Sequence, residues 1–323
     1  MEVVKKSDWI ASQPWIDQEG ADVELYLQKH ASGCVFDLRE KLAAWKRDGI
    51  VIFEQVVDVR LIDALLGDID YLRKHHMDFD LLAELKGKQG HINEFLPQEL
   101  ESDGVKFNSI HTISMAAARL SLTREVAQFL GAVFDDAPCA TQSLTFYRGS
   151  QQPIHIDYPY VRTQTRLAYL AASWIPLEDI HPDSGPLAYY PGSHNVDISD
   201  FFDWGGGSIL LEGDSDKTPT QFAEYLYARM SEKGVTPQVF CPRKGDVLIW
   251  HGNLAHEGTA IKNPDLTRKS YVTHYTSLTA YPPAHLKPGA PEAGVIAREN
   301  GGYVFEHSWQ DDLKQLPSSS ISF

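Results

Sequence analysis

LAYLAASWI, residues 167–175, is a run of aromatic, branched and small apolar residues closed by Pro176. Similar short runs surround it: SLTFYR at 143–148, LAYYPGS at 187–193, VTPQVF at 235–240, DVLIW at 246–250 and SYVTHYT at 270–276. Gly, Pro, Asp and Asn separate them. That punctuation predicts an all-β barrel or sandwich after Pro138, not a parallel α/β sheet.

Upstream the pattern is helical. From Asp37 the spacing predicts a helix whose inward face is Leu38, Leu42 and Trp45, with Gly49 as its stop. Ile50 to Phe53 reads as a short buried strand. Asp58 caps a second helix, with Val59, Ile62, Leu66, Ile69 and Leu72 facing in. A third runs over about 123–130, with Val126, Phe129 and Leu130 inward and Gly131 as its stop. The polar stretch 75–115 yields no assignment.

Between strands, residues 195–234 form an insertion with a helix of its own. Thr218, Pro219 and Gln221 give a capping box with proline at the first helical position, and Gly234 a stop. Phe222, Leu226 and Met230 would form its buried stripe. Such an insertion is a candidate wall for a substrate pocket. The Gly205-Gly206-Gly207 run lacks the Lys-Ser/Thr of a phosphate loop and reads as a hinge. The expected organisation is an N-terminal surface segment (1–35), a single domain with helices and this insertion (36–280), and a C-terminal tail (281–323) that helps enclose the pocket.

The chain has 323 residues, ample for a full core, and 29 basic against 44 acidic residues, a net of −15. That balance gives no electrostatic reason to seek nucleic acid or an anionic membrane. No apolar run approaches the roughly 20 residues that span a bilayer, and the N-terminus has no secretory pattern. Cys34, Cys139 and Cys241 form neither a disulfide framework nor a zinc-binding pair, which points to reduced thiols in a cytoplasmic protein.

Chemistry concentrates in QPIHIDYPY, residues 152–160. His155 and Asp157 are two apart, so on a strand both point to one side and can grip one ion. Downstream come a Gly245-Asp246 turn, the strand VLIWH, then His256 and Arg268. Two histidines and one carboxylate on one face of an iron leave positions for a two-toothed organic acid and dioxygen, as in non-heme Fe(II) oxygenases. Arg268 suits the distal carboxylate of a keto acid through a bidentate charge-assisted pair. Taken singly, the His-x-Asp pair reads as a hydrogen-bonded strand pair and Arg268 as a surface salt bridge; the ordered combination favours the site. His251 competes for the third ligand position, but the spacing to Arg268 favours His256. His75, His76, His91 and His111 have no matching spacing.

From about Leu38 to Tyr275 the chain resembles the phytanoyl-CoA dioxygenase family of Fe(II)/2-oxoglutarate oxygenases. The resemblance rests on DGIVIFEQVV (48–57), His155-Ile156-Asp157, the block from Trp174 through Gly185 to Pro191-Gly192-Ser193-His194, and Gly245-Asp246 through His256, Asn263 and Arg268. It implies a mainly β fold with flanking α-helices and a double-stranded β-helix (jelly-roll, cupin-like) core. It implies Fe(II) on His155, Asp157 and His256, with Arg268 on the C5 carboxylate of 2-oxoglutarate and Trp174 beside that cosubstrate. A hydroxyl two residues after the distal histidine often assists the arginine in this family. Here that position is Gly258, the hydroxyl belongs to Thr259, and Arg268 comes one residue late, so a one-residue bulge would make Thr259 the cosubstrate contact. Gln142 stands where related enzymes place a polar contact, with an outward strand amide as the equal alternative.

The expected activity is 2-oxoglutarate- and O2-dependent hydroxylation of a small-molecule metabolite or natural-product intermediate, releasing succinate and CO2. Asp157 favours hydroxylation over halogenation, since related halogenases carry a small residue there. Desaturation, cyclisation or epimerisation remain alternatives at the same site, as does a noncatalytic barrel-fold binding protein. A zinc hydrolase is disfavoured, because the chain has no HExxH helix and Arg268 would lack a purpose. Arg162 and Arg166 are candidate anion contacts or solvated strand residues. His194, Tyr158 and Tyr160 are candidates for the pocket rim, with packing the commoner role.

Overall fold

The computed structural model describes residues 12–30, 33–85, 88–100, 102, 104–161, 166, 168–198, 200–201, 217–310 and 313–321. Arg162 and the Gly205–Gly207 run lie outside them. In chain order the elements are α1 (Val23–His30), α2 (Leu38–Asp48), β1 (Ile50–Phe53), α3 (Val59–Lys74), β2 (Leu82–Leu85), β3 (Lys88–His91), α4 (Pro97–Leu100) and β4 (Lys106–Asn108). Then follow α5 (Met115–Ser121), α6 (Arg124–Phe134), β5 (Pro138–Phe146), β6 (Ala171–Pro176), β7 (Leu187–Tyr189), α7 (Pro219–Glu232), β8 (Gln238–Phe240), β9 (Val247–His251), β10 (His256–Gly258), β11 (Ser270–Ser277), β12 (Val295–Glu299) and β13 (Gly302–Phe305).

Two sheets build the core. The major sheet runs β1-β9-β6-β11-β5-β4-β2-β3, and the minor sheet β10-β7-β8. The pairings are antiparallel, that of β12 with β13 included, except that β13 lies parallel to β5. This is the double-stranded β-helix expected from the resemblance, and the strand alternation shows how it is filled. Ala172, Trp174, Leu248, Trp250 and Val272 of the major sheet meet Leu187 and Tyr189 of the minor sheet inside. The alternate residues Ala171, Ile175, Val247, Ile249, Tyr271 and Tyr275 join the opposite core with Leu42, Trp45, Ile62 and Phe129 of the helices. Both faces of β6 and β9 are therefore covered, which is why those stretches are apolar without alternation. Within LAYLAASWI the strand begins at Ala171; Ala168 lies in a turn, and Leu170 O accepts from Gly252 N–H at 3.0 Å.

The predicted helices form. Asp37 accepts from Glu40 N–H, and Gly49 closes α2 at φ +72°, donating to Trp45 O. A Cβ on Gly49 would also strike the His194 ring. Two expectations are corrected. In α3 the buried face uses Leu65 and Asp68 while Val59 is exposed. Helix α6 runs past Gly131 to Phe134, because Ala132, Val133 and Phe134 continue its buried stripe, and Asp135 supplies the left-handed cap at φ +50°. The polar stretch 75–115 contains β2, β3 and β4, which extend the major sheet.

Both flanks enter the same body. Ile16 and Leu27 are buried in the helix-side core, and so is Leu316. Buried Asp68 accepts from Ser114 Oγ at 2.6 Å, Ser318 N–H at 2.9 Å and Ser318 Oγ, fastening the C-terminal stretch onto α3 and α5. No described helix is long and apolar enough to cross a membrane.

The insertion helix α7 has the expected start: Thr218 caps Gln221 N–H, Gln221 reciprocates, and Pro219 leads. Gly234 follows it at φ +67°, with Val235 N–H bonded to Met230 O. Its stripe of Phe222, Leu226 and Met230 packs on Ile154, Ile156, Tyr158 and Tyr190. The helix thus braces the outer face of the segment carrying His155 and Asp157, while its described residues stay out of the pocket between the sheets.

Candidate metal centre

His155 is held beside β10 by a two-way backbone exchange. His155 N–H donates to His256 O and His256 N–H to His155 O, both at 2.9 Å. Directly opposed residues of an antiparallel pair project to one face, and the two imidazoles lie 4.2 Å apart between ring centres. Asp157 is fixed two residues on, its N–H donating to Gly252 O at 3.0 Å. Ligand atoms of His155, Asp157 and His256 all lie within 4.8 Å of one another, the one such group of histidine, cysteine and carboxylate side chains among the described residues.

The hydrogen bonds around the imidazoles select a metal-binding tautomer. Nδ1 of His155 lies 2.8 Å from Pro153 O, and Nδ1 of His256 lies 2.9 Å from Leu254 O. A carbonyl only accepts, so each Nδ1 carries the proton and each Nε2 keeps a lone pair for an ion. Burial, reinforced by His256, pushes the His155 pKa down to about 3, so the ring stays neutral. Burial alone would raise the Asp157 pKa, but His256 and His274 outweigh it and hold the group well below the usual carboxylate range. Two histidines and one carboxylate are the donor set that Fe(II) takes in a facial triad.

Across the pocket stands Arg268, buried, its N–H donating to Tyr147 O at 3.1 Å. Its guanidinium carbon lies 5.4 Å from the Phe146 ring centre and 5.7 Å from that of Trp174. Nε has no hydrogen-bond partner, and no carboxylate among the described residues pairs with it. Burial lowers its pKa to about 10, so it remains a cation. An unpaired buried cation facing a pocket is costly unless an anion enters, and a keto-acid carboxylate fits that need.

Other sequence candidates divide clearly. Trp174 lines the pocket with Phe146, Val272, Ser150 and Gln152. Gln142 shares the strand face of Leu144 and Phe146, and its Oε1 is buried without a partner. Thr259 is turned away: its hydroxyl donates to Pro186 O at 2.9 Å, and the expected bulge does not bring it into the pocket. Close packing explains the glycine before it, since a Cβ on Gly258 would come 2.5 Å from Ser150 Oγ and 2.8 Å from Gln151 N. His251 points to the helix-side core beside Trp45, its Nε2 3.2 Å from Asp17 Oδ2. His194 packs against that ring and Gly49, away from the pocket. Tyr158 is core, and exposed Tyr160 meets His155 edge-on. Arg166 donates to Tyr169 Oη at 3.0 Å.

Three neighbours of the site escaped the sequence reading. Trp250 Nε1–H donates to Asp157 Oδ2 at 2.6 Å. His274, buried with neither ring nitrogen hydrogen-bonded, stands 3.5 Å from the same oxygen. Ser270 is buried with its hydroxyl unpartnered. Counting in twos from Arg268 along β11 would have placed Ser270, Val272 and His274 on one face.

Comparison with known proteins gives a family and a fold. Residues 45–270 match the family model described as phytanoyl-CoA dioxygenase. A curated relative, the phytanoyl-CoA dioxygenase domain-containing protein 1 homolog of Caenorhabditis elegans, is 20% identical over 280 residues, covering 74% of this chain and 90% of its own. Among solved structures, EctD from S. alaskensis with 2-oxoglutarate and 5-hydroxyectoine is 17% identical, with a TM-score of 0.53 over 86% of this chain and 84% of its own. The epimerase SnoN in complex with Fe3+, alpha ketoglutarate and nogalamycin RO is 16% identical, with a TM-score of 0.55 over 84% of this chain and 96% of its own.

Proposed function

The chain belongs to the phytanoyl-CoA dioxygenase family, and on that premise we propose that it is an Fe(II)- and 2-oxoglutarate-dependent dioxygenase that hydroxylates a small organic molecule. The observation that carries the reading is the pairing of a free-Nε2 His155–Asp157–His256 group with a buried, unpaired Arg268 across one pocket. His155, Asp157 and His256 would hold the iron, and Arg268 the C5 carboxylate of 2-oxoglutarate. With these bound, oxidative decarboxylation of the keto acid by dioxygen would convert substrate C–H to C–OH and release succinate and CO2.

The protein's own contribution is placement. Asp157 supplies one negative charge against a divalent ion, so the metal end stays net positive and attracts the dianionic keto acid. Arg268 fixes its far end, and Trp174 and Phe146 wall it. Leu144, Leu187 and Val272 give the pocket apolar walls. The three unpaired cysteines support a cytoplasmic location. The acidic chain favours a small substrate over a polyanion.

Anaerobic titration of the apoprotein with Fe(II), then 2-oxoglutarate, tests the reading. A visible charge-transfer band that bleaches on admitting oxygen, with succinate formed, is the expected result. Folded protein that binds Fe(II) and never develops the band overturns it. Product analysis then separates hydroxylation from epimerisation or ring closure.

A further inference from the structure

We propose that Trp250 is a positioning residue that keeps Asp157 a one-oxygen ligand; the inference rests on the iron reading above. The two carboxylate oxygens of Asp157 have different surroundings. Oδ1 faces His256 Nε2 at 3.5 Å, on the side where the three ligand atoms converge. Oδ2 is taken by the indole N–H of Trp250 at 2.6 Å. An indole N–H can only donate, so the polarity of this contact is fixed. The acceptor is an ionised carboxylate and both side chains are buried, which makes the bond charge-assisted and short.

Trp250 is well placed to impose a direction. It lies in β9 with Ile50 of β1 opposite it on one side and Ala172 of β6 on the other. Its ring centre is 5.1 Å from that of His256. His155 and His256 belong to the minor-sheet side, while Trp250 belongs to the interior of the major sheet. The indole therefore references the carboxylate to a rigid frame that carries neither histidine. An untied carboxylate can rotate and chelate through both oxygens, occupying one of the positions the triad leaves open for cosubstrate and dioxygen. Phe at 250 would keep an aromatic ring in place and remove the donor.

The test uses Co(II) as a probe of the intact chain, with W250F, D157A and the double variant. Affinity is read by equilibrium titration and ligand geometry by the visible absorption of bound Co(II). W250F is expected to weaken Co(II) binding about tenfold or more, the range typical of partners that orient a metal ligand, and to change the absorption. In the D157A background W250F should add nothing, because its effect passes through the carboxylate. Wild-type affinity and spectrum in W250F would overturn the proposal. So would a full additional loss in the double variant, which would mark Trp250 as a packing residue. If wild type binds no Co(II), or D157A changes nothing, the metal reading itself falls.

A second measurement serves if W250F does not fold. In 15N-tryptophan-labelled apoprotein the Trp250 indole proton is expected far downfield, moving upfield in D157A. An indole proton that stays put overturns the hydrogen bond and the proposal with it.

Discussion

His155 and His256 face each other as a hydrogen-bonded antiparallel pair, each donating its N–H to the other's carbonyl at 2.9 Å. Their imidazole spacing is thus set by backbone pairing and not by loop conformation. Each ring is further oriented by a carbonyl two residues before it in sequence, Pro153 O and Leu254 O.

Removing a member of the triad should cost metal binding without unfolding the sheets. Asp157→Ala and His256→Ala are each expected to lower Fe(II) affinity by more than the roughly 10–100-fold that outer partners contribute. His251→Ala, whose ring meets Asp17 instead, should leave affinity near wild type. Anaerobic Fe(II) titration checks all three; loss of binding in His251→Ala alone would reassign the third ligand.

Arg268→Ala should mainly weaken 2-oxoglutarate binding, roughly 10- to 100-fold, as expected for hydrogen bonds to a charged group. Arg268→Lys should recover only part, because an ammonium lacks the planar fork. Titrating 2-oxoglutarate into the Fe(II) protein reads both. An unchanged affinity in the alanine variant would mean another residue holds that carboxylate.

Gly258→Thr, which puts a hydroxyl at the position the family commonly uses, should damage this chain. Its Cβ would collide with Ser150 Oγ and the Gln151 backbone. Thr259→Val should lose about 1 kcal/mol of stability with the bond to Pro186 O and keep 2-oxoglutarate affinity. Urea unfolding with cosubstrate titration distinguishes the two behaviours.

Leu226→Ala in α7 should cost about 2–5 kcal/mol as a buried truncation. Because the stripe packs on Ile154 and Ile156, flanking His155, Fe(II) affinity should fall as well. Undisturbed metal binding in a destabilised Leu226→Ala would show that the helix does not brace the site.

Acid should destabilise the fold through histidines far from the pocket. Burial lowers the His111 pKa to about 3 and, helped by His285, that of His307 to about 4. Below about 6.5 the unfolded chain takes protons that the folded form refuses, so this stability is complete above 6.5 and declines as pH falls toward those folded values. By pH 5 the loss is on the order of 2 kcal/mol for each ring. Urea midpoints at pH 7.5 and 5 should differ less in His307→Gln than in wild type; equal differences would refute the assignment to His307.

The sequence alone carried the parts governed by local rules. Period-two alternation put His155 and Asp157 on one face, Thr218 and Gly234 bracketed α7, and the short runs rich in β-branched and aromatic residues located strands such as β6 and β9. It misjudged the end of α6, because Gly131 costs little inside a helix whose next three residues are buried. The spacing to Arg268 already favoured His256 over His251, whereas finding Trp250 beside Asp157 and seeing Thr259 turned onto Pro186 required the tertiary structure. Each depends on which strands become neighbours, and segments far apart in the chain meet through backbone pairing that local propensity does not specify. The same holds for Gly258, whose missing side chain is explained only by the backbone of residues 150–152 pressed against it.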